Sequence, residues 1–291
     1  MAFFSGSCAA LVTPFKNKKV DFLALEKLID FQILSGTDAI LVLGTTGEAS
    51  CLTDEERKKI ICFTKEKINN KAQLFVGTGA NSTKKTIKNT RIAKECGANA
   101  VLIVTPYYNK CTQEGAVLHY STIANAVDIP IIVYNVPSRT GFNLLPQTTL
   151  KLSEIKNIVG IKEANGNIDH ILELFYLCKD KLAIYSGNDS LNKIFLSFGG
   201  DGVISVVANV LPKQIKTQCI EKNLESQSYL HNLLYNISKL CFVETNPIPV
   251  KYFLSKMKLI QNQLRLPLTP LSQKYQKQLD EELEKHYRGV I

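Results

Sequence analysis

The chain has 291 residues, 45% of them hydrophobic and 21% charged, a balance that supports a buried core and excludes an intrinsically disordered protein. Its net charge of +9 rests on 35 basic residues, but only five are arginines and the lysines are spread over helix-forming stretches beside Glu and Asp, which argues against a nucleic-acid reader. Met1 to Gly6 has neither the basic nor the apolar region of a signal peptide, and no apolar run reaches the ~20 residues of a membrane span, so a cytoplasmic protein with no membrane partner is expected.

Eight β-rich runs alternate with amphipathic stretches, at 8–13, 39–43, 73–77, 100–104, 130–134, 158–162, 183–186 and 202–206, the pattern of a parallel sheet built from βα units. After the first run, Phe22, Leu25 and Ile29 recur at helical spacing behind Asp21, and Gly36 stands where that helix should stop. Thr53-Asp54-Glu55-Glu56 is a capping box that opens the next helix, and Gly97 closes the one after. Beyond the eighth run the alternation ceases. Leu230, Leu233, Leu234, Ile237 and Cys241 form one apolar stripe, Pro247 and Pro249 begin a second helix, and Tyr275, Leu279 and Leu283 mark a third. The expected fold is an α/β (β/α)8 TIM barrel with a C-terminal helical extension. Residues 1–211 would hold the barrel core and active site, and 212–291 the last barrel helix and the extension.

In such a barrel the active site lies at the C-terminal ends of the strands, so polar residues that end an apolar run are the candidates. Run two ends in Gly44-Thr45-Thr46-Gly47-Glu48, where hydroxyls and glycine-flanked amides suit a small anion, although a plain βα loop has the same look. Run four ends in Thr105-Pro106-Tyr107-Tyr108-Asn109, and run five in Tyr134-Asn135-Val136-Pro137-Ser138-Arg139-Thr140-Gly141. Run six ends in Gly160-Ile161-Lys162-Glu163. Lysine there would become nucleophilic if burial disfavours its ammonium, or would merely snorkel at the rim. The four histidines, His119, His170, His231 and His286, have no metal-ligand spacing, so no metal is expected. The eight cysteines include no Cys-x-x-Cys pair, and free thiols in a reducing compartment are expected.

An amine, a phenol, hydroxyls and a guanidinium converging on one mouth are the parts of a lysine-dependent aldolase for a keto acid. With these motifs the chain resembles the dihydrodipicolinate synthase (4-hydroxy-tetrahydrodipicolinate synthase) family of the class I pyruvate-dependent aldolase superfamily, which includes N-acetylneuraminate lyase. The resemblance runs from Val12-Thr13-Pro14 through Gly77-Thr78-Gly79-Ala80-Asn81 and Gly202-Val203-Ile204-Ser205 to Asn246-Pro247-Ile248-Pro249-Val250-Lys251 and Arg265-Leu266-Pro267. One departure is Thr245, where many members have proline; it is expected to lie outside the reacting centre.

The resemblance implies that Lys162 forms a Schiff base with pyruvate, whose enamine adds to L-aspartate 4-semialdehyde before the substrate's own amine displaces the lysine. It assigns proton transfer to Tyr134, linked through Thr45 to Tyr108 of the partner subunit. Thr46 and the amides of Thr45 and Thr46 would hold the pyruvate carboxylate, Gly187 and the Ile204 carbonyl would lie near the keto acid, and Arg139 would bind the semialdehyde carboxylate. No cofactor is implied. The family implies a homotetramer built as a dimer of dimers. The alternative is a sister pyruvate aldolase, such as N-acetylneuraminate lyase or a keto-deoxy-sugar-acid aldolase, which usually lacks the Ser-Arg-Thr-Gly arrangement. Feedback-regulated relatives bind lysine at the tight-dimer interface, around the loop after strand two, the Gly-Ala-Asn loop after strand three and Tyr107; this chain keeps Asn81 and Tyr107 but has Lys85 where they have a glutamate, and Asp54 and Arg57 where they have histidines. Little or no inhibition by lysine is therefore expected.

Overall fold

A computed structural model describes residues 3–287, so Met1, Ala2 and residues 288–291, Arg288 among them, lie outside the described residues. Eight parallel strands close into a barrel: β1 (Gly6–Ala10), β2 (Ala39–Val42), β3 (Gln73–Gly77), β4 (Ala100–Val104), β5 (Ile131–Asn135), β6 (Ile158–Glu163), β7 (Ala183–Ser186) and β8 (Gly202–Ser205). Strands consecutive in sequence are neighbours in space, and β8 closes on β1. The first strand begins and ends earlier than the run at 8–13 suggests. Gly6 N donates to Asp201 O at the start of the ladder, whereas the Val12 amide turns to the Asn209 side chain at 3.1 Å instead of a neighbouring strand.

Each strand is followed by a helix that covers the barrel: α1 (Phe22–Leu34), α2 (Asp54–Ile68), α3 (Thr83–Glu95), α4 (Gln113–Ala126), α5 (Pro146–Leu152), α6 (Ile168–Cys178), α7 (Asn192–Ser197) and α8 (Pro212–Ile220). Local chemistry sets their starts. Asp21 accepts from the Ala24 amide to cap α1, and Thr53 and Glu56 form the reciprocal capping box of α2. Three further helices, α9 (Leu224–Leu240), α10 (Ile248–Lys256) and α11 (Gln273–Tyr287), form the extension. Among the described residues no helix is long and apolar enough to cross a membrane.

The two-residue period of the strands sorts side chains into two layers. Cys8, Leu41, Phe75, Leu102, Ile132, Tyr134, Tyr185 and Ile204 fill the barrel interior. Their neighbours Ala9, Ile40, Val76, Val133, Ile161 and Val203 pack outward under the helices. On β6 the same period turns Gly160 and Lys162 inward. Gly160 has to be small, because a Cβ there would come within 2.9 Å of the Tyr185 ring.

The cysteines correct the expectation of free thiols throughout. A disulfide joins Cys62 of α2 to Cys96, which follows α3, with their Cα atoms 5.1 Å apart, while the other six are free. The two are 34 residues apart in sequence. Adjacent helices of the outer layer bring them together, and no local spacing announces that.

Candidate active site

Parallel pairing of β5 with β6 sets Tyr134 directly opposite Lys162. Neighbouring strands lie about 4.8 Å apart and both side chains point inward, so the amine and the phenol meet over the barrel mouth. Lys162 Nζ lies 4.4 Å from the centre of the Tyr134 ring. Gly187, just beyond β7, makes room for the lysine: a Cβ there would approach Lys162 Cε to 2.9 Å.

Lys162 is 5% exposed, and burial pushes its pKa down from 10.5 to about 8; Cys8 and Asp189 oppose the shift, and Arg139 adds to it. At neutral pH about a tenth of the lysine is then free amine, against roughly one part in a few thousand for an ordinary lysine. Burial pushes the Tyr134 phenol up to about 12, with Arg139 offsetting part of the rise and Glu163 adding to it. The phenol therefore rests protonated, with a proton to donate. Glu163 itself points outward. It accepts from Asn135 Nδ2 at 3.0 and 3.1 Å and stands 3.1 Å from His170 Nε2, fixing the ends of β5 and β6 against α6.

Lys162 and Tyr134 open into a cavity of about 740 Å³ whose wall also includes Thr45, Thr46, Arg139 and Gly187. A smaller cavity of about 380 Å³, lined by Thr45, Tyr107, Tyr134 and Arg139, adjoins it. Lys162, Arg139 and Lys239 are the cations of the larger wall and Glu244 is its acid, a balance that favours carboxylate ligands. Among the described residues no group of three or more His, Cys, Asp or Glu is placed to hold a metal ion.

The structure thus gathers six of the eight residues expected at the site: Lys162, Tyr134, Thr45, Thr46, Arg139 and Gly187. The other two are not among its lining residues. Ile204 is buried in the same barrel-interior cluster as Tyr134, and Tyr108 is 91% exposed at φ +71° and lines neither cavity. From the sequence, Thr245 is expected outside the reacting centre. It lines the wall of the cavity, as do Lys239, Phe242, Glu244 and Asn246, because the end of α9 and the segment between α9 and α10 border the mouth. Asn246 Nδ2 donates to Thr46 Oγ1 at 2.9 Å, and its carbonyl accepts from Arg139 Nη2 at 3.3 Å. Asn246-Pro247 marks a helix start in the sequence, but no local signal says which strand end it faces.

The same segment is anchored by a buried ion pair. Glu48, at φ +51° in the loop after β2, meets Lys251 of α10, and both side chains are wholly buried. Arg265 N donates to Glu48 Oε2 at 3.0 Å, and Lys251 Nζ donates to Gln263 O at 3.0 Å. Thr45 and Thr46 are therefore held from behind by the extension.

Comparison with known proteins places this arrangement among close relatives. The family described as the dihydrodipicolinate synthetase family matches residues 3–286. The 4-hydroxy-tetrahydrodipicolinate synthase of Alkaliphilus oremlandii is 47% identical over 285 residues, covering 97% of this chain and 98% of its own. The crystal structure of dihydrodipicolinate synthase from Thermotoga maritima superposes with a TM-score of 0.97 at 46% identity, over 99% of this chain and 100% of that one. A monomeric dihydrodipicolinate synthase variant also has a TM-score of 0.97 at 46% identity, over 99% and 98% of the two chains.

Proposed function

The chain belongs to the dihydrodipicolinate synthetase family, and we propose that it joins pyruvate to L-aspartate 4-semialdehyde through a Schiff base on Lys162. It is a lyase of the class I aldolase type, and its activity is that of 4-hydroxy-tetrahydrodipicolinate synthase in lysine and diaminopimelate biosynthesis. The observation that carries the Schiff-base assignment is the buried amine at the end of β6, with its pKa pushed to about 8 and a phenol beside it.

On this reading the free amine of Lys162 attacks the pyruvate ketone and water leaves to give an iminium. Loss of a methyl proton forms the enamine, which adds to the aldehyde carbon of the second substrate. The substrate's amine then attacks the iminium carbon, releasing Lys162 and 4-hydroxy-tetrahydrodipicolinate. Tyr134 exchanges protons at each step. Because its phenol rests protonated, a relay through Thr45 to Tyr108 of the partner subunit supplies and removes protons. Thr46 and the Thr45 and Thr46 amides hold the pyruvate carboxylate, with Gly187 and the Ile204 carbonyl beside the keto acid. Arg139 receives the semialdehyde carboxylate.

The relay requires at least a dimer, and the exposure of Tyr108 supports that requirement. Exposed Ile168, Leu172 and Tyr176 share one face of α6, with the exposed Phe198 ring tilted against Phe175 of that helix at 5.9 Å, an apolar surface suited to a second contact and a tetramer. Lysine should inhibit weakly or not at all. Lys84, Lys85, Lys88 and Arg91 line the groove along α3 against two carboxylates, Asp54 and Glu95, and Asp54 is engaged by Lys88 at 2.7 Å. The cytoplasm is the proposed compartment, which cell fractionation checks.

The test is an assay of purified protein with pyruvate plus aspartate semialdehyde, run beside pyruvate plus N-acetylmannosamine and across a lysine series. Borohydride with pyruvate should leave a reduced three-carbon adduct on Lys162 and abolish activity. An adduct on another lysine rejects the Schiff-base assignment, turnover of the sugar instead of the semialdehyde rejects the substrate assignment, and half-inhibition by sub-millimolar lysine rejects the insensitivity.

A further inference from the structure

We infer that Asn246 is a positioning residue for pyruvate: its side-chain amide orients the Thr46 hydroxyl so that the hydroxyl's single proton is available to the substrate carboxylate. The inference rests on the assignment of Thr46 to that carboxylate. Thr46 is 3% exposed and Asn246 4%, and the two are brought together from positions 200 residues apart. A hydroxyl has one proton to donate, and an amide nitrogen can only donate. With Nδ2 at 2.9 Å, Thr46 Oγ1 must accept from Asn246, and among the described residues Oγ1 has no acceptor of its own. Its proton is left for whatever occupies the cavity that both residues line. The other half of the amide supports a functional reason for Asn246. Its Oδ1 is buried with no hydrogen-bond partner, a cost to the fold that an apolar side chain would not incur. The Asn246 carbonyl meanwhile holds Arg139. That contact is made by the backbone, so a side-chain substitution separates the pyruvate end of the site from the semialdehyde end.

Asn246→Asp converts the donor into an acceptor. The Thr46 proton would turn toward the new carboxylate, and a second negative charge would face that of pyruvate. The pyruvate concentration giving half-maximal borohydride-trapped adduct should rise by about tenfold or more, the scale of a lost hydrogen bond to a charged group. The KM for aspartate semialdehyde should stay near wild type. Asn246→Ala and Thr46→Val, made singly and together, close a double-mutant cycle. If the amide acts through the hydroxyl, the double variant should bind pyruvate no worse than Thr46→Val alone. Unchanged half-saturation in N246D, additive losses in the cycle, or equal losses for both substrates would each overturn the inference. Failure of the wild-type protein to trap pyruvate would instead reject the Schiff-base assignment.

Discussion

The chemistry proposed for Lys162 sets it against folding. Its pKa of about 8 lies below the 10.5 of an ordinary lysine because burial disfavours the ammonium. Below pH 8 both folded and unfolded chains hold the proton, so the folded state bears the full desolvation cost, which fades as pH rises from about 8 to 10.5. Removing the charge should therefore stabilise the protein. Lys162→Met is expected to gain on the order of 3 kcal/mol at pH 7 and little at pH 10.5, while forming no pyruvate adduct. Urea unfolding at the two pH values measures this, and equal stability of variant and wild type at pH 7 would show that the amine is solvated. In the wild type the rate of adduct formation should rise with pH and level off above about 8.

At the scale of elements, the extension holds the loop that carries Thr45 and Thr46. The Glu48–Lys251 pair joins that loop to α10, with Lys251 Nζ 4.2 Å and Arg265 Cζ 4.5 Å from the centre of the Phe15 ring. Burial pushes the Lys251 pKa down to about 8 even though Glu48 opposes the shift, so desolvation outweighs the attraction. Glu48→Gln leaves a buried cation without its counter-charge and should cost about 3–5 kcal/mol. Adding Lys251→Met should recover most of that loss, because the pair contributes through mutual compensation more than through net attraction. Denaturant midpoints of the three proteins decide it: a double variant as unstable as Glu48→Gln alone would mean that the pair itself holds the loop.

At the scale of the whole molecule, the proposed relay makes one chain insufficient. Tyr108 is exposed and lines neither cavity of its own chain, so a site would be completed by Tyr108 of the partner subunit. Tyr108→Phe should lose activity, and Lys162→Met should have none. Co-expressed, the two can form hybrid dimers in which one site has both groups intact. Random pairing then restores about a quarter of wild-type activity per chain if the tyrosine acts across a two-fold contact. No recovery in the mixture, with hybrids verified by mass, would place Tyr108 outside the relay or within its own chain's site.

Local pattern alone determined the alternation of strands and helices, the caps at Asp21 and Thr53, the helix starts at Pro212 and Pro249, and the strand-end positions of Lys162 and Tyr134. Those features depend on residues within a turn or two of one another, and the period of two already turns a strand-end lysine inward once the barrel closes. Other features arose only with the tertiary structure. Closure of the barrel buried Lys162 and moved its pKa, and packing of the extension brought Asn246 to Thr46, Lys251 to Glu48 and Thr245 to the cavity. Lateral packing of helices joined Cys62 to Cys96. Each of these contacts spans tens to hundreds of residues, and the desolvation that lowers the Lys162 pKa is a property of the assembled interior, with no counterpart in any local stretch of the chain.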